Sequence, residues 1–91
     1  MKVRVKFFAY LRHTFRDRER EMVLQSGSSI EDLLNLLCDS PGARGQIFDG
    51  GGLKRQMLVF KNGSDVEHLS GMATELDEGD TVVLIPPVGG G

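Results

Sequence analysis

The sequence predicts an α+β domain in which one main helix packs on one face of a mixed β-sheet. Apolar and charged residues alternate over residues 2–7, which is typical of a strand with one buried face. Apolar residues recur at helical spacing over residues 30–37, and residues 82–85 form an apolar run without alternation. The predicted order is strand, strand, helix, strand, irregular segment, strand. Because a hairpin and one crossover helix return the chain beside its start, we expect the last strand to pair parallel with the first, at the centre of the sheet.

Length and composition restrict the classes of function. The chain has 91 residues, a net charge of −2 and one cysteine, Cys38, with 40% hydrophobic and 26% charged residues. These values are typical of one small globular domain and argue against attraction to polyanions or membrane surfaces. The single cysteine excludes an intramolecular disulfide. No apolar run approaches the roughly 20 residues that span a bilayer. The N-terminus lacks an apolar signal region. We expect a cytoplasmic domain over residues 1–85 and a flexible tail over residues 86–91, with neither nucleic acid nor membrane as a partner.

The N-terminal quarter is predicted to form two strands. The first strand buries every second residue, namely Val3, Val5 and Phe7. Its alternation fails at residues 8–11, where we predict a short helical turn. The second strand is predicted over residues 22–25, with Met22 and Leu24 facing inward.

A charge-rich stretch of mixed sign lies between these strands, at residues 13–21. Its charges nearly cancel, which favours a solvated loop. Contact of Arg16, Arg18 or Arg20 with a phosphate or a partner is the alternative that the sequence leaves open.

The clearest local pattern is the start of the predicted helix. Ser28 as N-cap with Glu31 three residues later would form a capping box, in which each side chain satisfies a free backbone N–H. The apolar stripe consists of Ile30, Leu33, Leu34 and Leu37. The helix is expected to run to about Asp39 and to stop at Pro41-Gly42.

The second half of the chain is predicted to contain a mobile glycine-rich loop at residues 42–56 and a strand at residues 57–61. The strand ends at Asn62-Gly63, which is a strong turn signal. An irregular segment follows, whose predicted apolar anchors are Val66, Leu69, Met72 and Leu76.

The chain ends in the apolar strand, two prolines, one valine and three glycines, with Gly91 last. Pro86 and Pro87 cannot donate backbone hydrogen bonds, so they end any strand ladder. Residues 86–91 span at most roughly 20 Å when extended, at about 3.3–3.6 Å each. A frayed terminus is one interpretation of such a tail. The other is that glycines without Cβ atoms thread a narrow tunnel and carry the terminal carboxyl into a partner's active site.

Motifs for catalysis within the chain are missing. Two isolated histidines, His13 and His68, and one cysteine do not supply the ligands of a metal site at any typical spacing. Cys38 lies at the edge of the helix stripe and is predicted to be a small buried side chain. The residues contain no nucleophile elbow, dinucleotide fingerprint or phosphate-binding loop. The one reactive group that we expect is the carboxyl group of Gly91.

Four segments resemble the small subunit of molybdopterin synthase and the related ubiquitin-like sulfur carriers and small archaeal modifier proteins. They are residues 5–12 (VKFFAYLR), 29–34 (SIEDLL), 60–63 (FKNG) and 76–88 (LDEGDTVVLIPPV), the last followed by glycines. The resemblance implies a β-grasp fold, in which Gly90 and Gly91 take the place of the family's terminal diglycine.

The resemblance also implies a function. A separate, ubiquitin-activating-like enzyme would adenylate the carboxyl of Gly91 with ATP and Mg²⁺, while this chain binds no cofactor and no metal itself. Attack by a persulfide sulfur would leave a thiocarboxylate, and the large subunit of molybdopterin synthase would receive the tail for sulfur transfer to the cofactor precursor. The alternative is a protein modifier joined through Gly91 to lysines of target proteins. A binding module with an idle tail is a third interpretation.

The last strand also predicts a partner-binding surface. If Val82 and Leu84 face the core, Val83 and Ile85 lie on the opposite face and lead into the tail. We expect partner contacts from Val83, Ile85, Pro86, Pro87, Val88, Gly89 and Gly90. The alternative is that the segment at residues 64–76 covers Val83 and Ile85.

Overall fold

The computed structural model describes residues 1–87, which form one mixed five-stranded sheet, a small hairpin and three helices. The strands are β1 (Lys2–Phe7), β2 (Glu19–Val23), β3 (Phe48–Asp49), β4 (Gly52–Leu53), β5 (Leu58–Lys61), β6 (Ser64–Asp65) and β7 (Thr81–Ile85). The helices are α1 (Leu11–Phe15), α2 (Ile30–Leu37) and α3 (Pro41–Ile47). No helix within these residues is long and apolar enough to cross a membrane.

The sheet has the strand order β2-β1-β7-β5-β6. Strands β1 and β7 are parallel, whereas β2 pairs antiparallel with β1, β5 with β7, and β6 with β5. The prediction that the last strand pairs parallel with the first at the centre of the sheet is therefore confirmed. This arrangement explains why β7 carries apolar residues at nearly every position.

The core lies between the sheet and α2. The fully or almost fully buried side chains include the predicted inward positions of three elements: Val3, Val5 and Phe7 in β1, Ile30, Leu33, Leu34 and Leu37 in α2, and Val82 and Leu84 in β7. Burial of each such side chain contributes about 1.5–3 kcal/mol before the loss of conformational entropy is counted. The α2 stripe was thus predicted correctly, although the helix ends at Leu37 rather than near Asp39.

The capping box of α2 lies one residue later than the sequence predicts. Ser29, not Ser28, is the N-cap: its Oγ accepts the backbone N–H of Asp32 at 3.2 Å. The Asp32 carboxylate accepts the backbone N–H of Ser29 at 2.9 Å, so Asp32 takes the place predicted for Glu31. Ser28 instead accepts the N–H of Leu76 with its backbone carbonyl at 2.9 Å. This tertiary contact, which local sequence does not reveal, selects between two adjacent serines.

The prediction of a mobile loop over residues 42–56 was wrong. Ser40 caps α3 by accepting the N–H of Ala43 at 3.2 Å, and Pro41 occupies the first turn, where a missing N–H costs nothing. The hairpin β3–β4 follows, with Gly50 and Gly51 in its turn at positive φ. Ala43, Ile47 and Phe48 are buried, so this region extends the core.

Two further boundaries differ from prediction in the N-terminal quarter. Strand β2 begins at Glu19 and ends at Val23, so part of the predicted solvated loop is a strand. Charges are tolerated there because β2 is an edge strand, where charged side chains discourage pairing with other chains. The predicted turn near residues 8–11 is followed by a short helix, α1, whose Phe15 ring stacks on Phe7 with centroids 4.7 Å apart.

The segment between β5 and β7 contains β6 and two 3-10 turns, Val66–His68 and Gly71–Ala73. Val66 and Leu76 are buried and Met72 packs partly against the core, as predicted. Leu69 is 49% exposed, so its prediction as an anchor was wrong. It follows a 3-10 turn, in which the apolar spacing differs from that of an α-helix.

Candidate functional site

Strand β7, which leads to the carboxyl terminus, is held on both sides within the sheet. Leu84 is in register with Phe7 of β1 and with Val59 of β5, and Val82 and Leu84 are fully buried. The core therefore fixes the position and direction of the end of β7.

The strand ladder stops at the prolines. The last pair in register joins Leu58 of β5 to Ile85, and the next two residues lack a backbone N–H. Pro86 is buried and Pro87 is half-buried, so the packed part of the domain extends to residue 86. Val88, Gly89, Gly90 and Gly91 lie outside the described residues, and their predicted roles remain predictions.

An apolar patch lies on the face of the sheet opposite α2. Val83 and Ile85 are half-buried on this face, in register with Phe60 and Leu58 of β5. Directly paired residues of antiparallel strands share a face, so these four side chains form one surface. Phe8, which follows β1 directly, is 38% exposed, and Leu58 is 40% exposed. We call Phe8, Leu58, Phe60, Val83 and Ile85 the sheet-face patch.

The segment at residues 64–76 begins as β6 beside β5 and ends hydrogen-bonded to the start of α2. The N–H of Ile30 donates to the Thr74 carbonyl at 2.9 Å, and the N–H of Leu76 donates to the Ser28 carbonyl. These bonds hold residues 74–76 at the start of α2, on the core side of the sheet. Partial exposure of Val83 and Ile85 agrees with this placement and favours a partner surface over an internal contact.

Basic side chains border the sheet-face patch. The Arg12 guanidinium lies 5.1 Å from the centroid of the Phe8 ring, within the range of a cation–π contact. Lys6 is in register with Val83 of β7. Two residues earlier, the Arg4 guanidinium forms a salt bridge with the Glu19 carboxylate of β2, with Nη1 and Oε1 3.1 Å apart. The surface is therefore an apolar centre with a charged rim, which is typical of protein interfaces.

Of this patch, only Val83 and Ile85 in β7 were predicted from the sequence. The contributions of Leu58 and Phe60 were missed, although their spacing of two in a predicted strand indicates one face. Phe8 was missed because the alternation of apolar and charged residues stops after Phe7. The register between β5 and β7 is what joins these residues into one surface.

The start of β7 is held by a polar network around Asp80, a buried carboxylate. Its two oxygens accept hydrogen bonds from the Asn62 amide at 2.9 Å and from the Asp77 backbone N–H at 2.8 Å. The Lys61 ammonium lies 3.5 Å away. Burial by itself raises the pKa of Asp80, but these hydrogen bonds and the Lys61 charge outweigh it and lower the pKa below its ordinary value. The network is therefore a structural clamp with an ionised carboxylate at its centre.

Cys38 and the two histidines are the remaining side chains that the sequence singled out. Cys38 is buried, and burial raises the pKa of its thiol to about 11, although the Arg44 charge opposes the shift. A thiol with this pKa is protonated near neutral pH and is a poor nucleophile. His13 and His68 are exposed, and residues 1–87 contain no group of three potential metal-ligating side chains.

Comparison with known proteins agrees with this geometry. Residues 5–91 match the ThiS family. The chain is 36% identical to small archaeal modifier protein 3 of Haloferax volcanii over the full length of both proteins. Its structure is similar to the solution structure of small archaeal modifier protein 1 from Methanosarcina acetivorans, with a TM-score of 0.83 and 33% identity over 99% of this chain and 96% of that one.

A third neighbour is a putative molybdopterin converting factor, subunit 1, from Pyrococcus furiosus, with a TM-score of 0.77 and 29% identity over 97% of this chain and 99% of that one. The expected β-grasp, ubiquitin-like fold is confirmed by these neighbours, with three helices in place of the single main helix that the sequence predicted. The chain belongs to the ThiS family of ubiquitin-like proteins, which includes small archaeal modifiers and sulfur carriers.

Proposed function

We propose that this chain is a ubiquitin-like protein modifier that is joined through the carboxyl group of Gly91 to lysines of target proteins. The observation that carries the proposal is the 36% identity, over the full length of both chains, to a protein named as a small archaeal modifier. The sequence alone favoured sulfur transfer as the main role and conjugation as the alternative. The comparison reverses that order.

The chemistry requires activation by a partner. A terminal carboxylate is ionised at neutral pH, with a pKa of about 3.5, and is a poor electrophile. A partner enzyme with ATP and Mg²⁺ would let a carboxylate oxygen of Gly91 attack the α-phosphorus, with pyrophosphate leaving. The amine of a target lysine then attacks the acyl carbon, AMP leaves, and an isopeptide bond forms.

This chain contributes positioning. Strand β7 presents the tail from a packed core, and the sheet-face patch offers an apolar docking surface beside the point of exit. Pro86 and Pro87 restrict the first part of the tail to extended conformations, so less entropy is lost when a partner encloses it. Gly89 and Gly90 would then line up in the narrow part of the partner's site, where a Cβ would obstruct entry.

Sulfur transfer is the second candidate function. It is favoured by the likeness to the putative molybdopterin converting factor subunit from Pyrococcus furiosus. In this case a persulfide sulfur of a donor attacks the same acyl-adenylate and AMP leaves. Cleavage of the S–S bond by a reductant then leaves a thiocarboxylate on Gly91, for delivery to the large subunit of a molybdopterin synthase.

Mass spectrometry of the protein from its native host distinguishes the two functions. A terminal species with one sulfur in place of one oxygen supports sulfur transfer, and target lysines that carry the tail support conjugation. Trypsin suits the second measurement poorly because Lys61 is the last lysine or arginine, so each remnant would start at Asn62. A protease that cleaves after acidic residues leaves the shorter remnant Thr81–Gly91, because Asp80 is the last acidic residue.

A host strain whose chain lacks Gly90 and Gly91 is the control, and it should yield neither product. If the unaltered chain yields neither product in cells that contain an activating enzyme and ATP, both proposals are wrong.

A further inference from the structure

A cleft with an excess of positive charge lies beside α1. It has a volume of about 550 Å³ and is lined by Arg12, His13, Arg16, Asp17 and Arg18. The carboxylate of Asp17 pairs with Arg20 at 3.4 Å. Within residues 1–87, Arg12, Arg16 and Arg18 form no ion pair with a carboxylate. Three guanidinium groups therefore face one carboxylate that is already paired.

The cleft is attached to the end of the sheet from which the tail leaves. The Arg12 Nε donates to the Phe7 carbonyl at 2.9 Å, and the Phe7 N–H donates to the Arg18 carbonyl at 2.9 Å. Phe7 is in register with Leu84 in the adjacent parallel strand, and Pro86 follows only two residues later. Two walls of the cleft are thus bonded to the residue beside the end of β7.

The arginines of this region have different roles. Arg20 is structural, because its Nη2 donates to the Phe15 carbonyl at 2.8 Å and its guanidinium lies 5.8 Å from the centroids of the Phe7 and Phe15 rings. Arg16 and Arg18 are exposed, and their side chains make no hydrogen bond within residues 1–87. Their charges are available to a partner.

We propose that this cleft binds acidic side chains on the enzyme that activates the carboxyl terminus, an inference that rests on the proposed function. An enzyme that encloses the last residues of a tail of roughly 20 Å must approach this end of the sheet closely. Arginine suits such a contact because its planar guanidinium binds carboxylates through two parallel hydrogen bonds. A small free anion is a poorer fit, since Arg16 and Arg18 are exposed and no apolar side chain lines the cleft to enclose it.

Reversal of the two exposed charges tests the proposal. The double variant Arg16→Glu/Arg18→Glu and the control Arg55→Glu would be assayed as substrates of the activating enzyme by ATP–pyrophosphate exchange. Arg55 is also exposed but lies between β4 and β5, outside the cleft lining. At 0.01 M salt we expect KM for the double variant to rise about tenfold or more, with kcat unchanged. The difference should shrink at 0.15 M salt, where the Debye length falls from about 30 Å to about 8 Å.

The single variant Arg18→Glu is the control for misfolding, because the carbonyl of residue 18 accepts the Phe7 N–H whatever the side chain at position 18. It should show a smaller rise in KM with an unchanged melting temperature. A KM for both cleft variants equal to that of Arg55→Glu would overturn the proposal, as would a rise that salt does not reduce. Saturable shifts of the Arg16 and Arg18 amide resonances with inorganic phosphate or ATP alone would also overturn it, in favour of a small-anion site.

Activation of the unaltered chain, measured beside the cleft variants, tests the proposed function and the docking cleft separately. If the unaltered chain is not activated at all, the proposed function and the proposed docking cleft are both wrong. If the unaltered chain is activated and the cleft variants match the control, only the docking cleft is wrong.

Discussion

The side-chain amide of Asn62 joins the turn after β5 to the start of β7 through Asp80. Its Nδ2 donates to the Asp80 carboxylate at 2.9 Å, and its Oδ1 accepts the N–H of Thr81 at 2.9 Å. Asn62 also has φ of +49°, a conformation in which asparagine is one of the few favourable residues. One side chain thus shapes a tight turn and aligns the strand that presents the tail.

Replacement of Asn62 should therefore lower the free energy of unfolding. Asn62→Gly keeps the positive φ and removes both hydrogen bonds, so we expect a loss of about 1–2 kcal/mol. Asn62→Ala removes the same bonds and adds backbone strain, so it should lose about 1 kcal/mol more. Urea unfolding curves would measure both values. Equal stability of Asn62→Gly and the unaltered protein would show that the two hydrogen bonds contribute nothing.

Asp80 should make stability depend on pH in the acid range. Its folded pKa lies below that of the unfolded chain, about 3.9, so its contribution is fully present above that pH and is lost as pH falls through the folded pKa. Asp80→Asn lacks this contribution, and the difference in melting temperature from the unaltered protein should be greatest at neutral pH and shrink below about pH 4. The matched control is Asp49→Asn, at an exposed position, and its melting temperature should change with pH in the same way as that of the unaltered protein. A difference that stays constant with pH would contradict the assignment.

The two adjacent serines before α2 should differ in their effect on stability. Ser29→Ala removes the side-chain cap and should cost about 1 kcal/mol of unfolding free energy. Ser28→Ala should have little effect, because Ser28 holds Leu76 through its backbone carbonyl, which alanine retains. Thermal unfolding of both variants checks this. A larger loss of stability for Ser28→Ala than for Ser29→Ala would instead identify Ser28 as the N-cap of α2.

The two faces of β7 should respond differently to a buried charge. Leu84→Asp places a carboxylate in the core and should abolish or severely reduce folding. Ile85→Asp and Val83→Asp alter the half-buried outer face and should chiefly weaken partner binding, measured as a rise in KM for activation. Val23→Asp, at a position 68% exposed on the edge strand, is the control for added charge. Comparable loss of melting temperature for Leu84→Asp and Ile85→Asp would refute the assignment of faces.

Deletion of Gly91 should abolish activation of the chain while its melting temperature stays the same. The deletion withdraws the carboxyl group by about 3.5 Å, and a terminal glycine has no side chain to bury. ATP–pyrophosphate exchange measures activation, and calorimetry measures stability. Because the shortened chain still ends in two glycines, removal of both Gly90 and Gly91 is the stronger test. Full exchange activity with either shortened chain would disprove the role of the tail.

The sequence by itself determined the periodic features of this protein. Alternation in β1, the apolar stripe of α2 and the uninterrupted run in β7 each reflect which side chains are buried, and burial follows the period of the element. Those three features, with the chain order, were enough to predict the mixed sheet and its central parallel pair. The resemblance of the terminal segment to a known family was likewise visible without coordinates.

Only the tertiary structure decided which neighbours the polar and aperiodic residues meet. Ser29 caps α2 because the backbone carbonyl of Ser28 accepts the N–H of Leu76. Arg20 packs against the rings of Phe7 and Phe15, whereas Arg16 and Arg18 stay exposed. The glycine-rich stretch became helix α3 and a hairpin because burial of its apolar side chains outweighed weak local propensity. Each outcome depends on hydrogen bonds or contacts between residues distant in the chain, and a local pattern does not specify those partners.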